Sequence, residues 1–167
     1  MKEEKRQERN AQRSAECFPW FRKRLLETIR DLEAQGFRPR IQEAWRSPAD
    51  QLTAFKNGNS KLKFGYHNAT GPAGEKQSLA VDLLDDDAPM APGRRYLLAL
   101  AIAAGDHQLN TGVTWGLPAK LRKTITDAIA ARNANADISK IGWDPCHVEI
   151  TGVSVSDVEA GKRPKGA

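Results

Sequence analysis

The most informative stretch of this sequence is Trp143-Asp144-Pro145-Cys146-His147-Val148-Glu149-Ile150. From His147 onwards polar and apolar side chains alternate, a pattern that predicts a half-buried β-strand. Residues two apart in a strand share a face, so Glu149 projects on the same side as His147. Asp144 precedes the histidine across Pro145, which predicts a turn that brings its carboxylate back towards the same place.

A second informative segment lies upstream, where Gly65-Tyr66-His67-Asn68 is followed by Ser78-Leu79-Ala80-Val81-Asp82. Asp82 interrupts an apolar, strand-like run, where an unpaired carboxylate costs roughly several kcal/mol. Either a salt bridge to an arginine or a metal ion satisfies it. Two histidines and one aspartate from separate segments suit a zinc ion with a fourth position open to water. The metal hypothesis therefore predicts His67, Asp82 and His147 as ligands, with Asp144 as the carboxylate that handles protons.

The remaining pattern predicts an α+β fold, a small antiparallel sheet with flanking helices. Apolar residues at steps of three and four from Phe18 to Leu32 predict a helix that Gly36 ends. Ser47 and Pro48 predict the N-cap and first residue of a second helix that ends near Gly58. Helices and short strands alternate without a regular βαβ order, which favours an α+β domain. Further helices are predicted over 94–104, stopped by Gly105, and over 118–133, with strands over 40–45, 79–84, 113–115 and 147–150.

Three regions are predicted along the chain. Residues 1–16 mix basic and acidic side chains and predict a solvated helical or frayed extension. Residues 17–155 predict one folded domain that contains the candidate metal ligands, and 156–167 a basic tail. Within the domain, 56–77 predicts a long loop, and loops of that length are usually functional or mobile. Trp115 and Trp143 are predicted in the core, with a wall beside a cleft as the alternative.

The composition narrows the class of protein. A chain of 167 residues suits one domain, and a net charge of +5 favours an anionic partner surface. Nucleic acid, an anionic cell-wall polymer and anionic lipid all meet that description. No apolar run is long enough to span a bilayer. The charged N-terminal run is unlike a secretory signal, so we expect synthesis in the cytoplasm.

The two cysteines, Cys17 and Cys146, argue against a thiolate metal site. They form no CxxC pair, the spacing that such a site usually has. Reduced thiols are the preferred interpretation, and a disulfide between them stays open. Cys146 is expected to be buried.

Taken in order, these segments resemble the zinc D-alanyl-D-alanine carboxypeptidase and L-alanyl-D-glutamate endopeptidase family of peptidoglycan peptidases, many of them phage endolysins. The resemblance spans roughly residues 20–151. It rests on Arg46-Ser47 with Gln51, Gly58-Asn59-Ser60-Lys61, His67-Asn68, Ala80-Val81-Asp82, Thr114-Trp115-Gly116 and Asp144-Pro145-Cys146-His147-Val148-Glu149. Two segments depart from the compact family pattern and look like insertions. The first is Ala69–Gln77, which lengthens the spacing between His67 and Asp82. The second covers roughly residues 118–141. Gly65 also replaces a serine often found two residues before the first histidine.

The resemblance implies a role for each matched residue. His67, Asp82 and His147 would hold zinc, and Asp144 would be the general base and then the acid to the leaving amine. Arg46 would polarise the scissile carbonyl and Gln51 would brace the pocket, whereas the pattern alone leaves Arg46 a surface arginine. Glu149 would support a ligand histidine.

The implied partner is the stem peptide of peptidoglycan, and the L-alanyl-D-glutamate bond is the first expectation. A monomer is expected, acting on the cell wall after release from the cytoplasm. A D-alanyl-D-alanine carboxypeptidase or dipeptidase is the alternative within the same chemistry. A non-catalytic wall-binding module is the alternative from another class. A nucleic-acid-binding protein ranks last, because the basic run at 120–123 is short and lacks interleaved aromatic residues.

Overall fold

A four-stranded antiparallel sheet with the strand order β1-β2-β4-β3 organises the molecule. The computed structural model describes residues 1–165. In chain order its elements are α1 (Glu3–Ser14), α2 (Pro19–Ala34), β1 (Pro39–Glu43), α3 (Pro48–Lys56), a 3-10 turn (Tyr66–Asn68), β2 (Ala80–Asp85), α4 (Arg94–Asp106), β3 (Leu109–Gly112), α5 (Ala119–Ala130), β4 (Asp144–Ile150) and α6 (Val155–Glu159). The predicted α+β class is confirmed.

The two central strands bring the distant informative segments together. β2 pairs with β4 so that Asp82 lies directly opposite His147 and Ala80 opposite Glu149. Directly opposite residues of an antiparallel pair share a face of the sheet, so Asp82 and His147 project the same way. The sheet register thus joins residues that are far apart in the sequence.

The pairing between each central strand and its outer neighbour contains one register shift. Between Ile41 and Glu43 the register of β1 shifts, so that Glu43 rather than Gln42 lies opposite Asp82. Between Thr111 and Gly112 the partner in β4 jumps from Val148 to Asp144. Such bulges redirect side chains and are frequent beside functional sites.

Helix α1 covers the free edge of β1. Asn10 is buried; its amide nitrogen donates to the Pro39 carbonyl at 3.0 Å, and its side-chain oxygen accepts from the Ile41 N–H at 2.8 Å. Arg6, also buried, donates to the same Pro39 carbonyl and to Glu33. The helical expectation for this region is therefore confirmed, but its inner face is packed rather than solvated. Its boundary as a separate region stays a prediction.

Helices α2 and α4 form the main core against the sheet. The stripe predicted from Phe18 to Leu32 is confirmed, since Phe21, Leu25, Ile29 and Leu32 are buried together. A second apolar cluster joins α4 to α5 and includes Leu98 and Ile125. Over residues 1–165, no helix is both long and apolar enough to cross a membrane.

Four sequence predictions are wrong. The turn predicted at Pro145 is absent, because Asp144–Ile150 form one strand, β4. The strand predicted over 113–115 lies at Leu109–Gly112, because Leu109 and Thr111 face inwards while Val113 begins a turn. Gly105 does not end α4, which continues to Asp106 until Gln108 takes a left-handed conformation. Trp143 is not in the core, because 67% of its surface is exposed.

The C-terminal segment contains structure that the sequence did not predict. Residues Val155–Glu159 form helix α6, begun by Ser154, whose side chain caps the Asp157 N–H. Beyond it, Arg163 donates to the Thr70 carbonyl at 2.7 Å and to the Gln77 side chain at 2.8 Å. The expectation of a basic tail also includes Gly166 and Ala167, which lie outside the described residues.

Candidate metal centre

Three side chains from three elements converge on one point. His67 comes from the 3-10 turn, Asp82 from β2 and His147 from β4. The Nε2 atom of His67 lies 3.4 Å from Nδ1 of His147, and Oδ1 of Asp82 lies 3.6 and 3.5 Å from these nitrogens. Among the histidine, cysteine, aspartate and glutamate side chains of residues 1–165, these three form the group whose atoms lie close enough together to hold a metal ion.

The outer nitrogen of each histidine is held by a separate acceptor. Nδ1 of His67 lies 2.6 Å from the Ala44 carbonyl oxygen, to which it donates. Nε2 of His147 lies 2.9 Å from the carboxylate of Glu149. When the outer nitrogens carry the hydrogens, the inner nitrogens present lone pairs to each other and to the Asp82 carboxylate. Three facing donor atoms repel one another unless a cation lies between them, which is the chemistry of a metal site.

The 3-10 turn that carries His67 is fixed by buried hydrogen bonds. The Arg46 N–H donates to the His67 carbonyl at 3.0 Å, and the buried Asn68 side chain donates to the Arg46 carbonyl at 2.9 Å. Ser78 donates to the Ala44 carbonyl at 2.9 Å, so this carbonyl accepts from both Ser78 and His67. The histidine is therefore held rigidly although it lies in a long irregular segment.

The electrostatics of the cluster favour bound positive charge. Burial alone would raise the pKa of Asp82, but the two imidazoles beside it hold that pKa well below its usual range. Burial would lower the pKa of His147, but Asp82 and Glu149 outweigh it and raise the pKa to about 9. The site thus attracts a proton or a metal ion between its carboxylates.

Asp144 begins β4 beside this cluster. Its carboxyl is half-buried, and burial together with the negative charge of Asp82 raises its pKa above the ordinary value. Among residues 1–165 its side chain has no hydrogen-bond partner, so its oxygens stay free for other groups. A carboxyl of raised pKa without a structural partner is suited to exchange protons.

Arg46 belongs to a chain of polar side chains beside the cluster, where its partner Glu43 lies opposite Asp82 in the sheet. Its Nε donates to Glu43 at 2.8 Å and its Nη1 to Gln51 at 2.9 Å. Gln51, which is buried, donates in turn to Ser60 and to the Leu62 carbonyl. These contacts orient the guanidinium of Arg46, whose side chain as a whole is 31% exposed.

Two tryptophans extend from His147 towards the surface. The ring centroid of Trp115 lies 5.1 Å from that of His147 and 5.5 Å from that of Trp143. The Trp143 indole packs on Gly116, where a Cβ atom would come within 2.8 Å of it. The alternative of a wall beside a cleft describes this arrangement better than a core position.

The other candidate groups lie outside the cluster. His107 is paired with Asp31 at 2.7 Å and Glu27 at 3.4 Å. Cys17 and Cys146 are both free, as the preferred interpretation predicted, and Cys146 is buried as expected. Cys17 is buried as well. Burial raises the pKa of each thiol to about 12, so neither is a reactive nucleophile.

Sequence reasoning missed two contributors to the site. The Ala44 carbonyl orients His67, but a backbone acceptor leaves no signal in residue types. Glu43 binds Arg46, and only the bulge in β1 brings it opposite Asp82. An acidic residue three before an arginine was the available signal, and it is common on protein surfaces.

The fold resembles that of a known peptidase. The crystal structure of Serratia marcescens L-Ala D-Glu endopeptidase ChiX matches with a TM-score of 0.50 and 16% sequence identity, covering 86% of this chain and 86% of that chain. At that identity the likeness concerns the fold. No family model matches the chain, and no curated protein matches its sequence.

Proposed function

We propose that this protein is a zinc-dependent peptidase that hydrolyses a stem-peptide bond of peptidoglycan, the L-alanyl-D-glutamate bond first. The observation that carries the proposal is the nearly equilateral triangle of donor atoms with sides of 3.4, 3.5 and 3.6 Å. Ligands about 2.0–2.1 Å from a tetrahedral zinc ion stand about 3.3 Å apart, close to these separations. The resemblance of the fold to an L-Ala D-Glu endopeptidase supports the choice of bond.

The residues fit zinc by type as well as by spacing. Two imidazoles and one carboxylate are a usual set for a catalytic zinc site, which keeps one position open. A zinc ion held by His67, Asp82 and His147 would act as a Lewis acid and lower the pKa of a coordinated water to about 7. Glu149 and the Ala44 carbonyl keep the two imidazoles in the tautomers that this binding needs.

Asp144 performs the proton transfers. Its free carboxylate accepts a proton from the attacking water and then gives it to the amine that leaves. Its raised pKa suits both steps, because a group that must take and release a proton works best near the operating pH.

Arg46 stabilises the scissile carbonyl. A guanidinium has five N–H groups, and within residues 1–165 three of these are engaged by Glu43 and Gln51, which leaves two. A fixed donor aimed at the carbonyl oxygen stabilises the negative charge that develops there. Trp115, beside His147, and Trp143, beside Trp115, would form a wall for the peptide.

The test is release of amines and soluble fragments from purified peptidoglycan. Zinc-loaded protein is expected to cleave, a chelator to stop cleavage, and added zinc to restore it. Asp144→Ala is expected to lower the rate by about 10²–10⁴-fold without loss of bound zinc, since its role is proton transfer. Mass spectrometry of the fragments separates the L-alanyl-D-glutamate from the D-alanyl-D-alanine bond.

The matched control is Asp137→Ala, which removes an exposed aspartate outside the cluster and should cleave like the wild type. A folded, zinc-loaded protein that releases no amine would overturn the peptidase proposal and favour a wall-binding module.

A further inference from the structure

A cleft of about 600 Å³ opens between the first turns of α2 and the segment 75–77. That segment belongs to the insertion Ala69–Gln77, which folds back on itself through a Thr70–Lys76 bridge. None of the residues that line the cleft is a member of the metal cluster or accepts a hydrogen bond from it. The insertion therefore helps to build a second concave surface.

The lining of this cleft is strongly basic. Arg22 and Arg30 lie on one stripe of α2 with Leu26 between them, and Lys23 and Lys76 add two more cations. Glu75 is the acidic residue of the lining, and its oxygens accept from the Ala73 N–H and the Gln77 side chain.

Most of these cations have no acidic partner. Lys76 lies 3.3 Å from Glu16. Across the described chain, 1–165, Arg22, Lys23 and Arg30 make no ion pair, and all three are exposed. Neighbouring like charges do not stabilise a helix. Neutral side chains at these positions would therefore serve the stability of the fold equally well.

The spacing and chemistry of the cleft suit a polymer that carries repeated acidic groups. Arg22 and Arg30 are eight positions apart, about 12 Å along the helix, which is more than one carboxylate covers. A guanidinium binds a carboxylate through paired hydrogen bonds. Pro19 and Leu26 add apolar surface to the lining, and buried Cys17 also contributes to it.

We infer that this cleft is a docking site for the free carboxylates of peptidoglycan stem peptides, separate from the metal centre. The inference rests on the proposed function, because peptidoglycan then supplies carboxylates on the same polymer that the metal centre cleaves. Stem peptides repeat along the glycan, so one peptide occupies the metal centre while a neighbour binds the basic cleft. The site would hold the protein on insoluble wall and add nothing to cleavage of a short soluble peptide.

The test is co-sedimentation with purified peptidoglycan freed of phosphate polymers, with the full chain carrying Asp144→Ala so that the wall is not consumed. The cleft variant combines Arg22→Gln, Lys23→Gln and Arg30→Gln. The matched control combines Lys120→Gln, Arg122→Gln and Lys123→Gln, which remove the same charge from exposed positions of α5. We expect the cleft variant to bind at least about fivefold more weakly and the control to change less than about twofold, since exposed ion contacts each contribute a few-fold.

Two further arms identify the ligand. The protein with an unsubstituted cleft should no longer bind peptidoglycan whose carboxylates have been converted to amides. A short soluble stem peptide, tested with active Asp144-containing protein, should be cleaved equally by the cleft variant and the wild type.

Equal losses in the cleft and control variants would overturn the inference, because binding would then follow net charge alone. Undiminished binding to the amidated wall, or no sedimentation at all, would also overturn it. Tight binding to duplex DNA that the cleft variant loses in parallel would reassign the cleft to nucleic acid. Sedimentation needs no cleavage, so a failure of the peptidase proposal is seen separately, in the amine-release assay.

Discussion

The two histidines of the candidate metal centre differ in what they need from the chain. His67 is aimed by the Ala44 backbone carbonyl, which any residue at that position supplies. His147 is aimed by the side chain of Glu149, two residues along the same strand. The pairing of His147 with Glu149 is visible in the sequence as a strand alternation, whereas the contact of His67 with a backbone carbonyl is not.

His67 provides the sharpest test of metal binding at the residue scale. His67→Ala is expected to lose bound zinc, because it leaves two ligands in place of three. The measurement is metal content after gel filtration in metal-limited buffer. The control is His107→Ala, which removes the third histidine of the chain and its pairing with Asp31 but none of the cluster. Equal zinc content in both variants would rule out His67 as a ligand.

The sequence predicted which three side chains meet better than it predicted their surroundings. His67, Asp82 and His147 stood out because histidine and a buried carboxylate are rare in such contexts. Trp143 was misplaced because tryptophan is usually buried, and nothing local signals that its ring packs on Gly116 at the surface. The metal-ligand roles of His67, Asp82 and His147 stay predictions until variants are measured. The same holds for the roles of Arg46, Gln51, Asp144 and Glu149.

At the scale of elements, the bulge in β4 sets the position of Asp144. It brings the Asp144 carbonyl so close to Gly112 that a Cβ atom there would lie 2.1 Å from the carbonyl oxygen. Only glycine permits this approach, so the identity of one residue in β3 controls the placement of a residue in β4. Bulges arise from pairing between strands, which is why the sequence did not predict this one or the one in β1.

Gly112→Ala is therefore expected to displace Asp144. The clash is with backbone, so the strands must separate, at a cost of about 1–3 kcal/mol in the free energy of unfolding. The rate of cleavage should fall even under conditions where the variant is fully folded and zinc stays bound. Gly105→Ala is the control, because no atom lies within 4 Å of the new Cβ. Denaturant unfolding and amine release measure both effects, and wild-type values for Gly112→Ala would contradict the placement.

Helix α1 makes a second element-scale prediction. Asn10→Ala leaves the buried Ile41 N–H without its side-chain acceptor, which costs about 1–3 kcal/mol of stability. Gln12→Ala, on the exposed side of the same helix, should change stability by less than about 0.5 kcal/mol. Equal unfolding midpoints for the two variants would show that the contact with β1 contributes nothing.

At the scale of the whole molecule, the fold class was predictable and the surfaces were not. Periodicity identified α2 and the strand β2, whose apolar residues recur at regular steps. The basic cleft joins α2 to residues 75–77, and no local pattern reports that these two segments meet. Domain boundaries, oligomeric state and place of action stay predictions.

Removal of the metal is expected to weaken the molecule without unfolding it. His67, Asp82 and His147 belong to neither apolar cluster, so the metal-free chain should keep its helical circular dichroism. Zinc at 100 times its Kd contributes about 2.7 kcal/mol by mass action. For a chain of this size that is a shift of about 5–10 °C in Tm, measurable by scanning calorimetry with and without chelator. A Tm unaffected by zinc would argue against a site in the folded state.

The cover that α1 provides to β1 has a consequence for synthesis on the ribosome. The chain emerges from its N-terminus, so α1 is available when Pro39–Glu43 leaves the exit tunnel, whereas the partner strand Ala80–Asp85 follows about forty residues later. During that interval a bare strand offers its hydrogen-bonding groups to other nascent chains. In the folded protein Asn10 and Arg6 hold one edge of β1, and both residues precede β1 in the chain. Helix α1 is therefore expected to shield one edge of β1 from other nascent chains before β2 has been synthesised, and it keeps that place in the finished sheet.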